Sequence, residues 1–167
     1  IGNQSPDFAR HLLALARHPD YPLGSATLDR NAELGPLLLR SLVDAADPEQ
    51  AARLLAAFFA RVPTPAIYVK AMIDDPAAVR GIVGLLGASA FLGEALVAHP
   101  ELTEVFSRGP LSADAVRAAL DGELAGANLS AEDPGEAFVG ALRRAKRRVT
   151  MDVGVADLAG ELGTRAA

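Results

Sequence analysis

Five times along the chain a side chain able to cap a helix stands directly before a proline: Ser5-Pro6, Asp47-Pro48, Thr64-Pro65, Asp75-Pro76 and Asp133-Pro134. The cap oxygen accepts from one of the orphan amides of the first turn, which contributes on the order of 1 kcal/mol. Proline suits the first helical position, where its missing N–H has no partner to lose. Asp47 with Gln50, and Asp133 with Glu136, also have the spacing of a capping box. A chain punctuated in this way is built to start helices.

The apolar residues between these starts recur at helical intervals. Phe8, Leu12, Leu15 and Ala16 form one stripe; Leu34, Leu37, Leu38, Leu42 and Val43 form a second, in a helix predicted to start near Asp29 or Asn31. Leu54, Leu55, Phe58, Phe59 and Val62 form a third, and Ile67, Val69, Met72 and Ile73 a short fourth. Val79, Ile82, Val83 and Leu86 make a fifth, which Gly87 is expected to end in the left-handed conformation. Ser89 opens a helix over 91–98 that His99-Pro100 stops, a short helix follows over 100–106, and Ser112 caps 113–124. The longest element is predicted from Pro134 to about Leu162, with Phe138, Leu142, Ala145, Val149, Val153 and Leu158 as its apolar stripe and Gly140, Gly154 and Gly160 as weak points. Half the chain is apolar but only 5% is aromatic, the balance of close-packed helices rather than of a sheet. The fold expected is therefore all-α, a multi-helix array or bundle with a long C-terminal helix. Residues 1–125 form the array, 126–133 a linker, and 134–167 a long basic helix. A second break lies at Arg108-Gly109-Pro110.

Charge and composition exclude several functions. A net charge of −5 and a pI near 5.2 argue against a nucleic-acid or membrane-surface binder. Without cysteine there is no disulfide framework, thiolate metal site or cysteine nucleophile, which fits a cytoplasmic setting. No uncharged apolar run approaches the roughly 18 residues of a membrane span. Ile1 opens the chain with neither methionine nor a signal-peptide pattern, as expected of an excised segment.

The main candidate for contact is Arg143-Arg144-Ala145-Lys146-Arg147-Arg148, five cations on an otherwise acidic chain. On a helix Arg143 with Arg147, and Arg144 with Arg148, repel at i,i+4 by a few tenths of a kcal/mol. Something anionic should offset that: internal carboxylates on a solvated face, a partner protein or a phosphate. Gly24-Ser25 followed by Asp29-Arg30-Asn31 superficially resembles a nucleotidyltransferase signature, but the gap is short, the second acid is Asn31, and no strand is apparent. It reads better as a loop with a helix cap. His11, His18 and His99 lack metal-ligand spacing. His99, at a helix end, is expected to meet free carbonyls, and Asp74-Asp75 is an end-and-cap pair rather than an acid/base pair. No phosphate loop, zinc-protease helix or nucleophile elbow occurs, so no catalytic residue, metal ligand or cofactor is assigned within the segment.

Two stretches carry a likeness. Gly87-Ala88-Ser89-Ala90-Phe91-Leu92-Gly93-Glu94-Ala95-Leu96-Val97-Ala98-His99-Pro100-Glu101-Leu102 resembles the Gly-Ala-Ser-x-(aromatic)-Leu and Leu-x-x-His-Pro-Glu segment of bacterial glutamine synthetase adenylyltransferases. Leu142-Arg143-Arg144-Ala145-Lys146-Arg147-Arg148, running on to Asp157-Leu158-Ala159-Gly160, resembles the basic helix of the same family. With weaker similarity from about Leu34 to Ile82, the likeness covers most of 30–162. Departures fall at Ala145, where the family has an aromatic, at Val149, where it has glutamate, and at Ala98, Asp152 and Ala156, where it has arginine.

The resemblance implies a non-catalytic regulatory or linker region of an enzyme that adenylylates and deadenylylates glutamine synthetase. The adjoining nucleotidyltransferase domain would bind ATP and magnesium. Partners implied are that domain, glutamine synthetase and a PII-type signal protein, with no nucleic acid and no membrane. The lack of a catalytic remnant ahead of Leu34 points to the first, deadenylylating half. The rival expectation is a stand-alone helical adaptor that takes a partner helix in a groove.

Overall fold

The computed structural model describes residues 5–108, 113–126 and 134–158. Among them the chain forms ten α-helices, one 3-10 turn and no strand, the all-α architecture that caps and periodicity predict. The helices are α1 Pro6–Ala16, α2 Ser25–Arg30, α3 Leu34–Val43, α4 Pro48–Arg61, α5 Pro65–Asp74, α6 Pro76–Ala88 and α7 Ala90–Ala98. The 3-10 turn Pro100–Thr103 leads into α8 Glu104–Arg108; α9 Ala113–Ala125 and the long α10 Pro134–Leu158 follow. The chain divides into two compact units, Ile1–Ser107 and Arg108–Ala167, at the Arg108-Gly109-Pro110 break. The segment 126–133 lies, beyond Gly126, outside the described residues, and the helices flanking it, α9 and α10, pack on each other in the second unit.

Most of the caps form as the sequence dictates. Ser5 Oγ accepts from the Phe8 amide at 3.1 Å, Asp47 Oδ1 from Gln50 at 2.9 Å, Asp75 Oδ1 from Ala77 at 2.8 Å and Ser89 Oγ from Leu92 at 3.3 Å. Thr64 departs from expectation, since its side chain makes no cap bond and proline alone marks the start of α5. Gln50 does not close the capping box either. Its amide reaches instead to the Leu86 carbonyl at 2.8 Å, an acceptor near the end of α6. Asp133 and Ser112 lie outside the described residues.

In the first unit α4 packs against α1, α3, α6 and α7, and α6 against α3, α4, α5 and α7. A helix met on several sides must bury more than one stripe. Accordingly α4 adds Ala51 and Ala52 to Leu54, Leu55, Phe58 and Phe59, and α6 adds Ala78 and Leu85 to Val79, Ile82, Val83 and Leu86. Rings run from the α1–α2 loop through α4 into α5. Tyr21 lies 5.7 Å from Phe59, Phe59 lies 5.4 Å from Phe58, and Phe58 meets Tyr68 edge-on at 5.0 Å.

Three local expectations are corrected. Residues 25–30 are a helix rather than a loop. Asn31 leaves helical geometry at φ −149°, ψ 91°, and its Oδ1 accepts from Glu33 and Leu34, so α3 starts at Leu34 and not near Asp29 or Asn31. Gly87 does not end α6 in the left-handed conformation; it is buried inside the helix, and Ser89, extended at φ −141°, ends it. Ser89 also caps α7, and the helix axis turns by 120° across this break. No single helix among the described residues is long and apolar enough to cross a membrane.

Candidate functional site

The arginine cluster lies in the middle of α10, with every cation on helical backbone. The predicted repulsion is offset from two directions. Glu136, seven residues before Arg143 on the same helix, accepts from Arg143 Nη1 at 3.3 Å. Glu123 on α9 takes two arginines at once, with Arg144 Nε at 3.3 Å from Oε2 and Arg148 Nη1 at 3.6 Å from Oε1. A single carboxylate between Arg144 and Arg148 converts an i,i+4 repulsion into a three-charge cluster. Lys146 and Arg147 make no ion pair with a described residue, so the cluster keeps a cationic remainder towards solvent.

The apolar stripe expected beside these cations is not the buried face. Phe138, Leu142 and Val153 are 46%, 47% and 49% exposed, and Leu158 is exposed as well. The buried positions are Ala141, Ala145, Met151, Asp152 and Ala156. Of the predicted stripe only Ala145 is buried. The physical reason is that two faces of α10 less than a quarter-turn apart both repeat at helical intervals. The small one, which lets a neighbour approach closely, is inside, and the bulky one is left as a flank to the cations. The departure at Asp152 thus places a carboxylate, not an arginine, on the buried face.

The other sequence candidates do not assemble into a centre. Among the described residues no three His, Asp or Glu side chains are grouped so as to hold a metal ion. Asp29 is exposed on α2, and Arg30 pairs with Asp20 at 3.0 Å rather than with a second acid. His18 Nδ1 accepts from the Asp20 amide at 3.3 Å and its ring packs on Tyr21. His99 Nδ1 faces Glu101 Oε1 at 3.3 Å, so a carboxylate, not the expected carbonyls, is its neighbour. Asp75 is the α6 cap, as read, and Asp74 pairs with Lys70.

The 87–102 block serves packing. A Cβ on Gly93 would come within 2.6 Å of Leu54 Cδ1 on α4, and one on Gly87 within 2.8 Å of Ala45 Cβ in the α3–α4 loop, so Gly93 lets α7 close on α4 and Gly87 lets that loop lie against the end of α6. Sequence reasoning missed a groove at the other end of this block, where α5, α6, the 3-10 turn and α8 leave an open apolar space of about 340 Å³. Ile67, which the periodicity of α5 placed in a buried stripe, is 64% exposed there. No signal in the sequence marks it, because its lining comes from separate elements.

With this geometry in view, one similarity stands out. The chain is 28% identical over 139 residues to the bifunctional glutamine synthetase adenylyltransferase/adenylyl-removing enzyme of Thioalkalivibrio sulfidiphilus. The match covers 80% of this chain and 14% of that enzyme. The chain is thus similar to a short segment of a glutamine synthetase adenylyltransferase. No protein-family model matches it, and no solved structure does.

Proposed function

We propose that this chain is a non-catalytic helical segment of an enzyme that adenylylates and deadenylylates glutamine synthetase to control nitrogen assimilation. The observation that carries the proposal is the similarity over 80% of the chain to 14% of such an enzyme. Its support in the fold is a pair of well-specified helical units in which the two resembling blocks have physical work. The first makes the turn between α6 and α7, and the second makes α10 with its cations. In this reading the segment carries and orients an adjoining nucleotidyltransferase domain, where ATP and magnesium act. Arg143, Arg144, Lys146, Arg147 and Arg148 form the contact face towards that domain, glutamine synthetase or a PII-type signal protein, with Lys146 and Arg147 the cations left for a partner's carboxylates or phosphate.

The test mixes the purified chain with glutamine synthetase, magnesium and labelled ATP, and separately measures binding of the chain to glutamine synthetase and to the nucleotidyltransferase domain. The expected result is no adenylyl transfer by the chain alone. Binding to one of the two should weaken about tenfold in a Lys146→Glu, Arg147→Glu double variant, a difference of about 1.4 kcal/mol. Robust transfer refutes the non-catalytic assignment, and binding indifferent to the double variant removes the arginine face from it.

A further inference from the structure

A second hollow in the first unit lies along the seam where α3 packs on α6. Leu37, Arg40, Ser41 and Asp44 line it from α3 and its C-terminal cap, and Arg80 and Gly84 line it from α6, around an open trough of about 360 Å³. Two cations thus meet one space from two helices. Among the described residues neither guanidinium makes an ion pair or a hydrogen bond. Asp44 follows Arg40 at the i,i+4 spacing by which Lys70 and Asp74 pair, yet it pairs with neither arginine of the trough. Arg144 and Arg148 on α10 also bring like charges together, and there Glu123 bridges them. Between Arg40 and Arg80 no described carboxylate does so. Gly84, one turn beyond Arg80, has nothing within 4 Å of where its Cβ would stand, so no side chain from that position fills the space beside the cations. The Ser41 hydroxyl donates to the Leu37 carbonyl at 2.9 Å, which leaves the arginines as the donors of the trough.

We propose that this trough binds a small phosphate monoester, gripped by Arg40 from α3 and Arg80 from α6, with the body of the ester against Leu37 and Gly84. A guanidinium presents a planar fork of N–H donors that matches phosphate or carboxylate in bidentate fashion. Two forks arriving from different helices need acceptor oxygens that point in more than one direction. The terminal oxygens of a phosphate monoester do so, whereas those of a carboxylate share one plane. Near pH 7 a monoester carries about −1.5 to −2, which two guanidiniums neutralise. Asp44 narrows the choice further, because its carboxylate in the same trough repels a second phosphate and so disfavours a diphosphate. The volume suits a small ligand rather than a large one. The site is built from α3 and α6 alone and does not depend on the enzyme assignment.

The experiment titrates the full chain with phenyl phosphate and follows backbone amide shifts by NMR. Expected are saturable shifts at Ser41, Arg80 and Gly84, half-complete at about 1 mM or below. Benzoate should bind about tenfold weaker, and pyrophosphate about threefold weaker. Arg40→Gln and Arg80→Gln should each lose about fivefold or more, and Arg80→Lys, which keeps the charge without the fork, about threefold. Asp44→Asn should bind pyrophosphate about threefold more tightly than the parent chain does. Arg40 and Arg80 are exposed, so their substitution leaves the core intact, which unchanged circular dichroism verifies. Arg61→Gln, at an exposed cation of α4 that does not line the trough, should bind as the parent chain does. No saturation in that range, or benzoate or pyrophosphate bound as tightly as phenyl phosphate, overturns the proposal. So does an Arg61→Gln loss equal to that of Arg80→Gln, since that marks attraction to overall charge rather than to this trough.

Discussion

Of the twelve largest fully buried side chains among the described residues, eleven belong to the first unit and one, Met151, to the second. The exposed large apolar residues divide differently: Leu13, Leu39, Val43, Ile67 and Phe91 are scattered over the first unit, while Phe138, Val139, Leu142, Val153 and Leu158 all sit on α10. The first unit is therefore held by volume, with leucine and phenylalanine filling the space around α4 and α6. In the second, α10 buries mainly alanine, carries a shared-carboxylate cluster with α9, and keeps its bulk outside. Both kinds of helix have regular apolar periodicity. What separates them is how many described neighbours each helix meets: α4 and α6 pack on four helices each, whereas α10 packs on α9 and leaves its bulky flank exposed.

The sharpest way to break this comparison is to truncate one phenylalanine in each unit. Phe59 is fully buried on α4 and touches Tyr21 and Phe58. Phe59→Ala should lose about 3–5 kcal/mol, the transfer energy of the ring plus the cavity it leaves. Phe138 is 46% exposed, and Phe138→Ala should lose less than about 1 kcal/mol. Urea unfolding followed by circular dichroism measures both. Equal losses would mean that α10 is as much a core helix as α4.

Glycine to alanine gives the next largest contrast, and its sign differs between Gly24 in the first unit and Gly122 in the second. At Gly24 a Cβ would lie 2.1 Å from the His18 carbonyl oxygen and 2.4 Å from that of Pro19, both backbone atoms that no rotamer change can move. Gly24→Ala should therefore destabilise by about 1–3 kcal/mol through forced displacement of the α1–α2 loop. Gly122 in α9 has nothing within 4 Å of the same position. Gly122→Ala should stabilise by roughly 0.5–1 kcal/mol, because alanine is the better helix former and loses less backbone freedom. Thermal melting of the two variants decides it, and a tolerated Gly24→Ala would mean that the loop is not packed as tightly as the structure has it.

How far the sequence anticipates this depends on the distance over which each decision is made. Ser5, Asp47, Asp75 and Ser89 act on amides two or three residues away, and their caps were readable. Gln50 was not, because a carbonyl thirty-six residues away competes for its side chain. The helical character of α10 was readable, but its buried face was not. Phe138-Leu142 and Ala141-Ala145 share one period, and only a neighbouring helix chooses between them. The candidate site shows the same division. Five cations between 143 and 148 are visible in any reading of the chain, whereas Glu123, which holds two of them, comes from another helix. The Ile67 groove has no local mark at all.

The smallest effect tests that cluster. Glu123→Gln keeps the shape of the side chain and removes the charge between Arg144 and Arg148. The pairs are partly shielded, with Glu123 26% and Arg148 33% exposed, so the loss should reach about 0.5–1 kcal/mol at low salt, the upper part of the range for surface pairs. The counterpart in the first unit is Asp74→Asn on α5. There the Lys70–Asp74 partners are 74% and 58% exposed, and about 0.3 kcal/mol is expected. Hydrogen exchange of the α9–α10 amides against those of α5 resolves the two losses locally. Both should fade at about 1 M salt, where the screening length falls to about 3 Å, and the Glu123 loss should fade by the larger absolute amount. A Glu123→Gln loss no larger than that of Asp74→Asn would show that the arginines of α10 do not depend on the shared carboxylate. In that case the alanine face holds the second unit without that cluster, and Arg144 and Arg148 join Lys146 and Arg147 as cations available to a partner, while Arg143 stays with Glu136.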